Sequence, residues 1–374
     1  MDRLREAWAL LDDSAALLKR GQIRAAFDRA NQALMHDPVC ARALYTAGAL
    51  SCEFWHHRRG AALLQRAIDI DPTDSRYFAV LGLAQHQLGD HANAERGYLR
   101  ALSIADQPAA AAGLQRLRTE LANRTPPSRP CVLVTFGTRA FTRNQAALRE
   151  SALDRGGFAD SIDWTPDLLR STWLYADHAD ILDEPRGAGY WVWKPFIILD
   201  ALKRVAAGDY VVYYDCGRAD GFRFRQSIAP LIEWCEHENN GMLPGVYWPA
   251  TRNAYWTKRD CFVLMGADVE SIWAAGQAQA TFSVWKRTPG NIAIVERWLD
   301  YCCDRRIVTD DPNVCGLPNL PGFIDHRHDQ SVLNNVMHQR GLRCFGRPDQ
   351  GTPFPKDINS TITRVLREAA PRVI

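Results

Sequence analysis

Two short stretches, far apart in the sequence, combine side chains that could take part in chemistry. In the first, an apolar run at residues 210–214 leads directly into Asp215, Cys216 and Gly217. An apolar strand that ends in an acid delivers a carboxylate to the carboxyl edge of an α/β sheet, where ligands bind. An aspartate at this position can also do no more than cap a turn, so Asp215 alone leaves both interpretations open.

The second stretch, residues 325–334, reads Asp-His-Arg-His-Asp-Gln-Ser-Val-Leu-Asn. Asp329 stands where a helix is predicted to begin, so it could serve only as a helix cap, and Gln330 could serve only as a solvent contact. Two imidazoles, one guanidinium and two carboxylates within five positions favour a functional site instead. Because an ionised carboxylate within hydrogen-bond reach can take a proton from a hydroxyl, Asp329 is the candidate general base. His328 could bind a metal ion through a ring nitrogen, and His326 is its weaker duplicate.

Basic side chains that could bind phosphate stand in two predicted loops. Lys194 opens a predicted helix, and the free N–H groups at a helix N-terminus suit a diphosphate. Arg139 and Arg143 follow the first predicted strand, where they could bind a nucleotide, although exposed arginines are ordinary on any surface. Farther along the chain, Lys258 and Gln279 are the better candidates among the polar residues for binding such a ligand.

The rest of the pattern predicts the elements that must position these residues. A linker at residues 123–130 contains three prolines, which end helices and resist strands. Beyond it, short apolar runs alternate with helical patterns, as in an α/β domain over residues 131–374. Strands are predicted at 131–138, 159–164, 210–214, 245–249 and 260–265, and a strand with its turn in the segment 277–287. A flexible loop is predicted at 186–189, and helices at 144–152, 166–174, 194–205 and 291–302.

The first third of the sequence repeats itself every 34 residues. Small residues and prolines recur at this spacing, namely Gly48 and Gly82, then Ala33, Ala67 and Ala101, then Pro38 and Pro72. The period and these residue types resemble the tetratricopeptide repeat, in which small residues lie where two helices touch. About three repeats span residues 7–108, and a capping helix follows, so an α-helical domain is expected over residues 1–122.

The resemblance to tetratricopeptide repeats implies a concave face that is free to hold a peptide or a protein partner. The repeats could instead only support the second domain or mediate self-association. No feature of the sequence identifies the partner.

The α/β domain resembles the GT-A glycosyltransferases over residues 131–350. Residues 208–217, Gly-Asp-Tyr-Val-Val-Tyr-Tyr-Asp-Cys-Gly, look like the segment that leads into the DxD motif of that fold. The resemblance implies a Rossmann-like mixed sheet in which Asp215 binds a divalent cation, Mn²⁺ or Mg²⁺, on the two phosphates of a nucleotide sugar. The Asp-Gln pair is similar to a helix-start element of several GT-A families, which implies that Asp329 and Gln330 contact the transferred sugar.

The sequence departs from the DxD pattern because position 217 is glycine, so one expected carboxylate is missing. Asp220 is near enough in sequence to compensate for it. Alternatively, Arg218, Arg223 or Arg225 could supply part of the positive charge that a diphosphate needs.

These observations predict a glycosyltransferase that moves a sugar from a nucleotide-sugar donor to a hydroxyl acceptor. Its repeat domain would recruit a protein acceptor or another partner, in the synthesis of a bacterial surface glycan or glycoconjugate. Two alternatives remain open. The chain could be an inactive interaction scaffold, or a metal-dependent hydrolase built on the histidine-rich stretch.

Composition narrows the class of protein further. A net charge of +2, from 45 basic and 43 acidic residues, gives no overall field that would attract nucleic acid. Ten cysteines at irregular spacing, without a CxxC pair, suit reduced thiols better than a disulfide framework. No stretch has the roughly 20 apolar residues of a membrane span, so a cytoplasmic protein is expected, either free or at the cytoplasmic face of the inner membrane.

Overall fold

The computed structural model describes residues 2–122, 125–217, 220, 222–237, 240–245 and 247–344. They group into two compact units. The repeat unit contains the described residues up to 122 together with 220 and 222–226, and the sheet unit contains residues 125–217 and the described residues from 227 onward. A short segment after Gly217 therefore groups with the repeats, whereas the sequence predicted one boundary at residues 123–130.

The repeat unit consists of antiparallel helices joined by short loops. Its helices are α1 Asp2–Lys19, α2 Ile23–His36, α3 Ala41–Glu53, α4 His57–Ile70, α5 Ser75–Gln87, α6 His91–Ile104 and α7 Pro108–Ala122. The second helix of each pair begins at Ile23, His57 and His91, which are 34 residues apart. This spacing of helix pairs confirms the predicted tetratricopeptide-like repeats.

Helices α3 and α5, which are described throughout, contain no exposed residue, although the Arg76 side chain keeps 39% of its surface accessible. The free concave face that the repeats imply stays a prediction. The segment after Gly217 packs against the start of α4 and the loop before it: Phe222 packs edge-on against Trp55, with ring centroids 4.9 Å apart, and the Arg58 guanidinium lies 2.7 Å from the Asp220 carboxylate.

Replacing Gly60 with alanine is expected to lower the free energy of unfolding by about 1–3 kcal/mol, because α3 and α4 touch at this glycine. A Cβ at position 60 would overlap Cys52 Sγ and lie 2.8 Å from the carbonyl oxygen of Gly48. Urea denaturation followed by circular dichroism measures the change. The control is Gly290→Ala, whose added Cβ meets nothing closer than 4.0 Å and should be neutral or stabilising by up to about 1 kcal/mol. Equal effects of the two substitutions would contradict this account of Gly60.

The sheet unit contains a mixed five-stranded sheet and a separate two-stranded sheet. Its strands are β1 Cys131–Phe136, β2 Asp160–Trp164, β3 Tyr210–Tyr214, β4 Met242–Leu243, β5 Tyr247–Arg252, β6 Gly276–Ala278 and β7 Phe282–Lys286. The larger sheet has the order β2-β1-β3-β7-β4, in which β1 runs parallel to β2 and β3, while β7 runs antiparallel to β3 and β4. Strands β5 and β6 pair antiparallel. A mixed-sheet domain thus follows the repeats.

Helices cover this sheet and complete the core. They are α8 Thr142–Ser151, α9 Pro166–Arg170, α10 Trp173–Leu182, α11 Gly187–Tyr190, α12 Trp193–Arg204, α13 Ala229–His237, α14 Arg259–Leu264, α15 Glu270–Trp273, α16 Pro289–Cys302, α17 Arg305–Val308 and α18 Asp329–Gln339. Helix α12 packs between β3 and α16, and Trp285 stacks on Trp298 in the centre of the core. Within the described residues, no helix is both long enough and apolar enough to cross a bilayer.

The structure corrects three predicted elements. Residues 260–265 form most of α14 rather than a strand, since an apolar run of this length does not distinguish the two. The helix predicted over 166–174 is divided in two, and the Thr172 hydroxyl accepts a hydrogen bond from the Tyr175 N–H at the start of α10. The loop predicted at 186–189 contains the start of the short α11, in which Ala188 and Gly189 have left-handed backbone.

Candidate functional site

A crevice of about 240 Å³ lies at the carboxyl end of β3 and is lined by residues from both chemical stretches. Asp215 enters it directly after β3, Lys194 from the first turn of α12, and Asp329 and Gln330 from the start of α18. The two stretches, more than a hundred positions apart in the sequence, therefore share one hollow. Its other lining residues are Arg186, Trp191, Ala280, Thr281, Asp325, His326, Arg327 and His328.

Lys194 and Asp329 form a buried ion pair in the crevice wall. The Lys194 ammonium lies 2.9 Å from Asp329 Oδ2, and the two side chains are each only 4% exposed. Burial, only partly offset by the charge of Lys194, raises the pKa of Asp329 to about 6. Burial acts to lower the pKa of Lys194, but the carboxylates of Asp329 and Asp215 outweigh it and raise that pKa. The charge of Lys194 thus interacts with both carboxylates, and Asp329 is ionised at neutral pH.

Asp215 is held by the sheet that delivers it. The Tyr213 hydroxyl donates a hydrogen bond to its Oδ1, and its backbone N–H donates to the Thr281 carbonyl at 2.9 Å. Thr281 immediately precedes β7, the antiparallel neighbour of β3, so strand pairing places both residues at the same edge. The half-buried carboxylate of Asp215 consequently faces the crevice in a fixed position.

His328 presents one ring nitrogen that protein groups do not use. Its Nδ1 lies 2.8 Å from the Val308 carbonyl and must carry the proton to donate there, which leaves a lone pair on Nε2. Nε2 is buried, has no hydrogen-bond partner among the described residues, and lies 3.8 Å from Asp310 Oδ1. Burial lowers the pKa of His328, which favours this neutral form. A neutral imidazole that donates its other N–H to a carbonyl has the arrangement of a metal ligand.

His326 and Lys258 are occupied by structural contacts. His326 Nδ1 accepts the Lys258 N–H at 3.3 Å, and Nε2 lies 2.9 Å from the Ile307 carbonyl. The Lys258 ammonium is buried and donates to the Asp311 carbonyl at 3.1 Å, and Lys258 does not line the crevice. The structure therefore does not place Lys258 with the other predicted donor-binding residues.

Gln330 uses its side chain to hold the wall of the crevice. Its Nε2 donates to Gln277 Oε1 at 2.8 Å, and its Oε1 accepts the Ala280 N–H at 3.2 Å. Gln277 is buried in β6 and was not predicted from the sequence, whereas the predicted Gln279 is half-buried and does not line the crevice. Gln330 thus positions the connection between β6 and β7, and Gln279 is not brought to the site.

Arg139 and Arg143 lie at the same sheet edge but do not line the crevice. Both follow β1, which is the parallel neighbour of β3, and both are exposed. The Asn144 amide donates to the Cys216 carbonyl at 3.4 Å, which ties the first turn of α8 to the loop after Asp215.

Two arginines of the crevice were given no role of their own from the sequence. Arg186 lies 2.8 Å from Asp310 and 2.7 Å from Asp325, and the Arg327 guanidinium lies 4.0 Å from the ring centroid of Trp256. Arg186 belongs to the 186–189 loop and Arg327 to the histidine-rich stretch, but a single exposed arginine carries no sequence signal for a specific role.

Asp220, which could replace the missing DxD carboxylate, has other partners, and so do two of the arginines that could supply positive charge. In the repeat unit the Asp220 carboxylate accepts hydrogen bonds from the Arg58 backbone N–H at 3.0 Å and from its guanidinium at 2.7 Å. The Arg223 guanidinium donates to the Asp220 carbonyl at 3.0 Å, and Arg225 lies 3.7 Å from Glu120. Arg218 lies outside the described residues.

A divalent cation fits the crevice only in company with a ligand. In the part of the chain that the structure describes, no three carboxylate, imidazole or thiol side chains are gathered closely enough to hold a metal ion. Asp215 and His328, the two metal ligands that the sequence suggested, both line the crevice. Mg²⁺ commonly takes one or two protein carboxylates and completes its shell with substrate phosphates and water, so this set suits a cation that arrives with a diphosphate.

Comparison with known proteins gives structural likeness in the repeat unit. No protein-family model matches the chain, and no curated protein matches it either. The first TPR domain of Spaghetti (RPAP3) bound to an HSP90 peptide is 17% identical, covers 32% of this chain and 95% of its own, and has a TM-score of 0.31. The Arabidopsis OM64 TPR domain is 18% identical, covers 31% of this chain and 98% of its own, and has a TM-score of 0.30. The Sgt2 TPR domain from Aspergillus fumigatus is 24% identical, covers 33% of this chain and 86% of its own, and has a TM-score of 0.30. Scores this low carry no argument about function.

Proposed function

We propose that the sheet unit is a nucleotide-sugar-dependent glycosyltransferase and that the repeat unit binds a protein acceptor or partner. The observation that supports this proposal is the shared crevice of Lys194, Asp215 and Asp329 at the carboxyl edge of the sheet. Ligands of open α/β sheets bind at this edge. Glycosyl transfer needs charge compensation for a diphosphate, alignment of an acceptor hydroxyl and a group that takes its proton, and each need has a candidate here.

The charges of the crevice explain why the proposed donor would bring a cation. The lining contains as many cationic side chains as carboxylates, namely Arg186, Lys194 and Arg327 against Asp215, Asp325 and Asp329. A diphosphate alone would leave the crevice with excess negative charge in a partly buried place, which is unfavourable. In the proposal, Asp215 and His328 hold Mn²⁺ or Mg²⁺, which as a Lewis acid stabilises the charge of the departing nucleotide.

The chain's own residues have separate tasks in this proposal. Arg139 and Arg143, exposed beside the loop after Asp215, bind the part of the nucleotide that extends from the crevice. Asp329 takes the proton of the acceptor hydroxyl or holds a sugar hydroxyl, and Lys194 keeps it ionised. Gln330 keeps Ala280 and Thr281 in place as the wall against which the sugar rests.

The proposal predicts that a nucleotide sugar raises the melting temperature in the presence of Mn²⁺ and that Asp215→Asn abolishes this shift. A ligand that binds only the folded state stabilises it by about 2.7 kcal/mol at a hundred times its Kd, which a thermal-shift screen of nucleotide sugars detects. The matched control is Asp209→Asn, which makes the same charge change before the other end of β3. Transfer itself is followed by release of nucleoside diphosphate.

Two outcomes would count against this assignment. An equal shift in the wild-type protein and Asp215→Asn would remove Asp215 from the donor site. No shift with any nucleotide sugar, with and without Mn²⁺, would remove the transferase from consideration.

A second candidate function, favoured by the repeats, is that of an interaction protein without transfer activity. Repeat arrays offer extended binding surfaces, and here Trp8, Met35 and Val39 of the first repeat are large apolar side chains with 48%, 76% and 68% exposure. In this alternative, a partner would contact these apolar side chains of the first repeat. The interaction role alone is supported if a partner is lost on Trp8→Ala with Met35→Ala while no nucleotide sugar binds.

The hydrolase alternative has less support from the site. His326 has both ring nitrogens engaged by backbone groups, so the Nε2 of His328 is the one imidazole nitrogen that the histidine-rich stretch offers as a ligand. A hydrolytic metal centre ordinarily needs three protein ligands.

A further inference from the structure

A second hollow of about 590 Å³, the edge groove, lies beside β2 and shares no residue with the crevice. Its floor is formed by Ile162 and Trp164 of β2, which point to the same face of the strand, and by Phe196 and Leu199 of α12. Leu168 and Trp173, from α9 and α10, form its outer rim. The volume lies within the 300–1,000 Å³ that is typical of small-molecule sites.

The edge groove contains an apolar face that water reaches. Trp173 is 55% exposed although it packs edge-on against Phe196 at 5.7 Å, and Leu168 is 50% exposed. Trp164 also meets Phe196 edge-on, at 5.5 Å. Trp173 is thus an exposed indole platform in the lining of the groove. A ring with one apolar face can pack on such a platform.

A buried hydrogen-bond donor in the groove has no partner. Trp164 is only 7% exposed, and no described residue accepts a hydrogen bond from its Nε1–H. Leaving such a donor unpaired costs about 1–3 kcal/mol, so an acceptor atom on a ligand would bind there favourably. The indole N–H can only donate, which requires an oxygen or another acceptor on the ligand.

The polar rim of the groove favours a neutral ligand with many hydroxyls. Its carboxylates, Asp163 and Asp200, already pair with Arg149 at 2.9 Å and with Arg204 at 2.7 Å. The remaining cation of the lining, Lys203, lies 3.6 Å from Glu296, so the rim has no surplus of either sign to attract a phosphate or a charged peptide. Together with Ser171 and Thr172, these groups can both donate to and accept from hydroxyls.

We propose that the edge groove is a carbohydrate-binding site in which a pyranose ring packs its C–H face on Trp173 while one of its hydroxyl oxygens accepts from Trp164 Nε1. The negative face of the indole attracts the weakly positive C–H groups of the sugar. The site is separate from the proposed transfer centre, and it would bind a glycan chain whether or not the crevice transfers a sugar.

Ligand-observed saturation-transfer NMR on the full chain tests this proposal with lactose, maltose, cellobiose and N,N′-diacetylchitobiose, without any nucleotide sugar. At least one disaccharide is expected to bind with a Kd of about 1 mM. Trp173→Ala should weaken this binding at least about tenfold. Trp8→Ala, at a tryptophan of similar exposure in the repeat unit, should leave it unchanged.

Two further variants keep the result interpretable. Trp164→Phe keeps an aromatic ring beside Phe196 and removes the N–H together with part of the indole, so it should weaken binding several-fold while circular dichroism stays that of the wild type. Asp215→Asn should bind the disaccharide normally, since Asp215 lies in the crevice. Lack of binding by all four disaccharides would overturn the proposal. So would binding that depends on Asp215 but not on Trp173, or binding that uridine monophosphate displaces.

Discussion

Replacing Lys194 with methionine is expected to lower the free energy of unfolding by about 3–5 kcal/mol, because it leaves a buried carboxylate without its partner. Lys194 lies 2.9 Å from Asp329, and its charge also acts on Asp215. Methionine has a similar length and no charge, so the loss measures electrostatics rather than a cavity. In the variant, Asp329 escapes the penalty only by taking up a proton, so the loss should be smaller at acidic pH.

Chemical denaturation at neutral pH measures this effect. The matched control is Lys203→Met, near the other end of α12, where the ammonium is 59% exposed and its removal should change stability by less than about 1 kcal/mol. The double variant Lys194→Met with Asp329→Asn should recover part of the lost stability, because neither charge of the pair remains. A double variant no more stable than Lys194→Met would show that the ion pair is not the cause.

The repeats and the central strand were predictable because their signals are local. A 34-residue period needs no knowledge of long-range contacts, and the helix pairs follow it. The run 210–214 was predicted as a buried strand from its apolar side chains, and β3 has those bounds. The error at 260–265 has the same origin, since a short apolar run suits either element. There the Asp260 carboxylate accepts the N–H groups of Val314 and Cys315, each at 2.8 Å, a long-range contact that sequence patterns do not reveal.

The types of residue in the site were predictable, but their individual tasks were not. His326 and His328 are equivalent in sequence, yet one has both nitrogens engaged and the other, on left-handed backbone with φ of 48°, keeps Nε2 unpaired. Lys258 and Gln279 looked as suitable as Lys194. What separates them is a partner more than fifty positions away, such as the Asp311 carbonyl that accepts from Lys258.

In the proposed reaction, Asp329→Asn is expected to lower the transfer rate by about 10²–10⁴-fold, the usual contribution of a positioned general base. Asparagine keeps the size of the side chain but cannot accept a proton. The control Asp300→Asn removes an exposed carboxylate from the neighbouring α16 and should leave the rate unchanged. A loss of less than about tenfold would remove Asp329 from the role of base and leave it as a structural partner of Lys194.

The pH dependence gives an independent measurement of the same carboxylate. Because burial raises the pKa of Asp329 to about 6, the base is lost below that pH, and wild-type kcat/KM should rise with pH through a midpoint near 6. The free energy of unfolding should instead fall as the pH rises. The folded protein holds the Asp329 proton more tightly than the unfolded chain, whose ordinary pKa is 3.8, so stability relative to Asp329→Asn should fall as pH rises from about 4 to about 6. Since asparagine does not titrate, the difference between the two proteins isolates this group, and a difference that stays constant over that range would show that Asp329 titrates as an ordinary exposed acid.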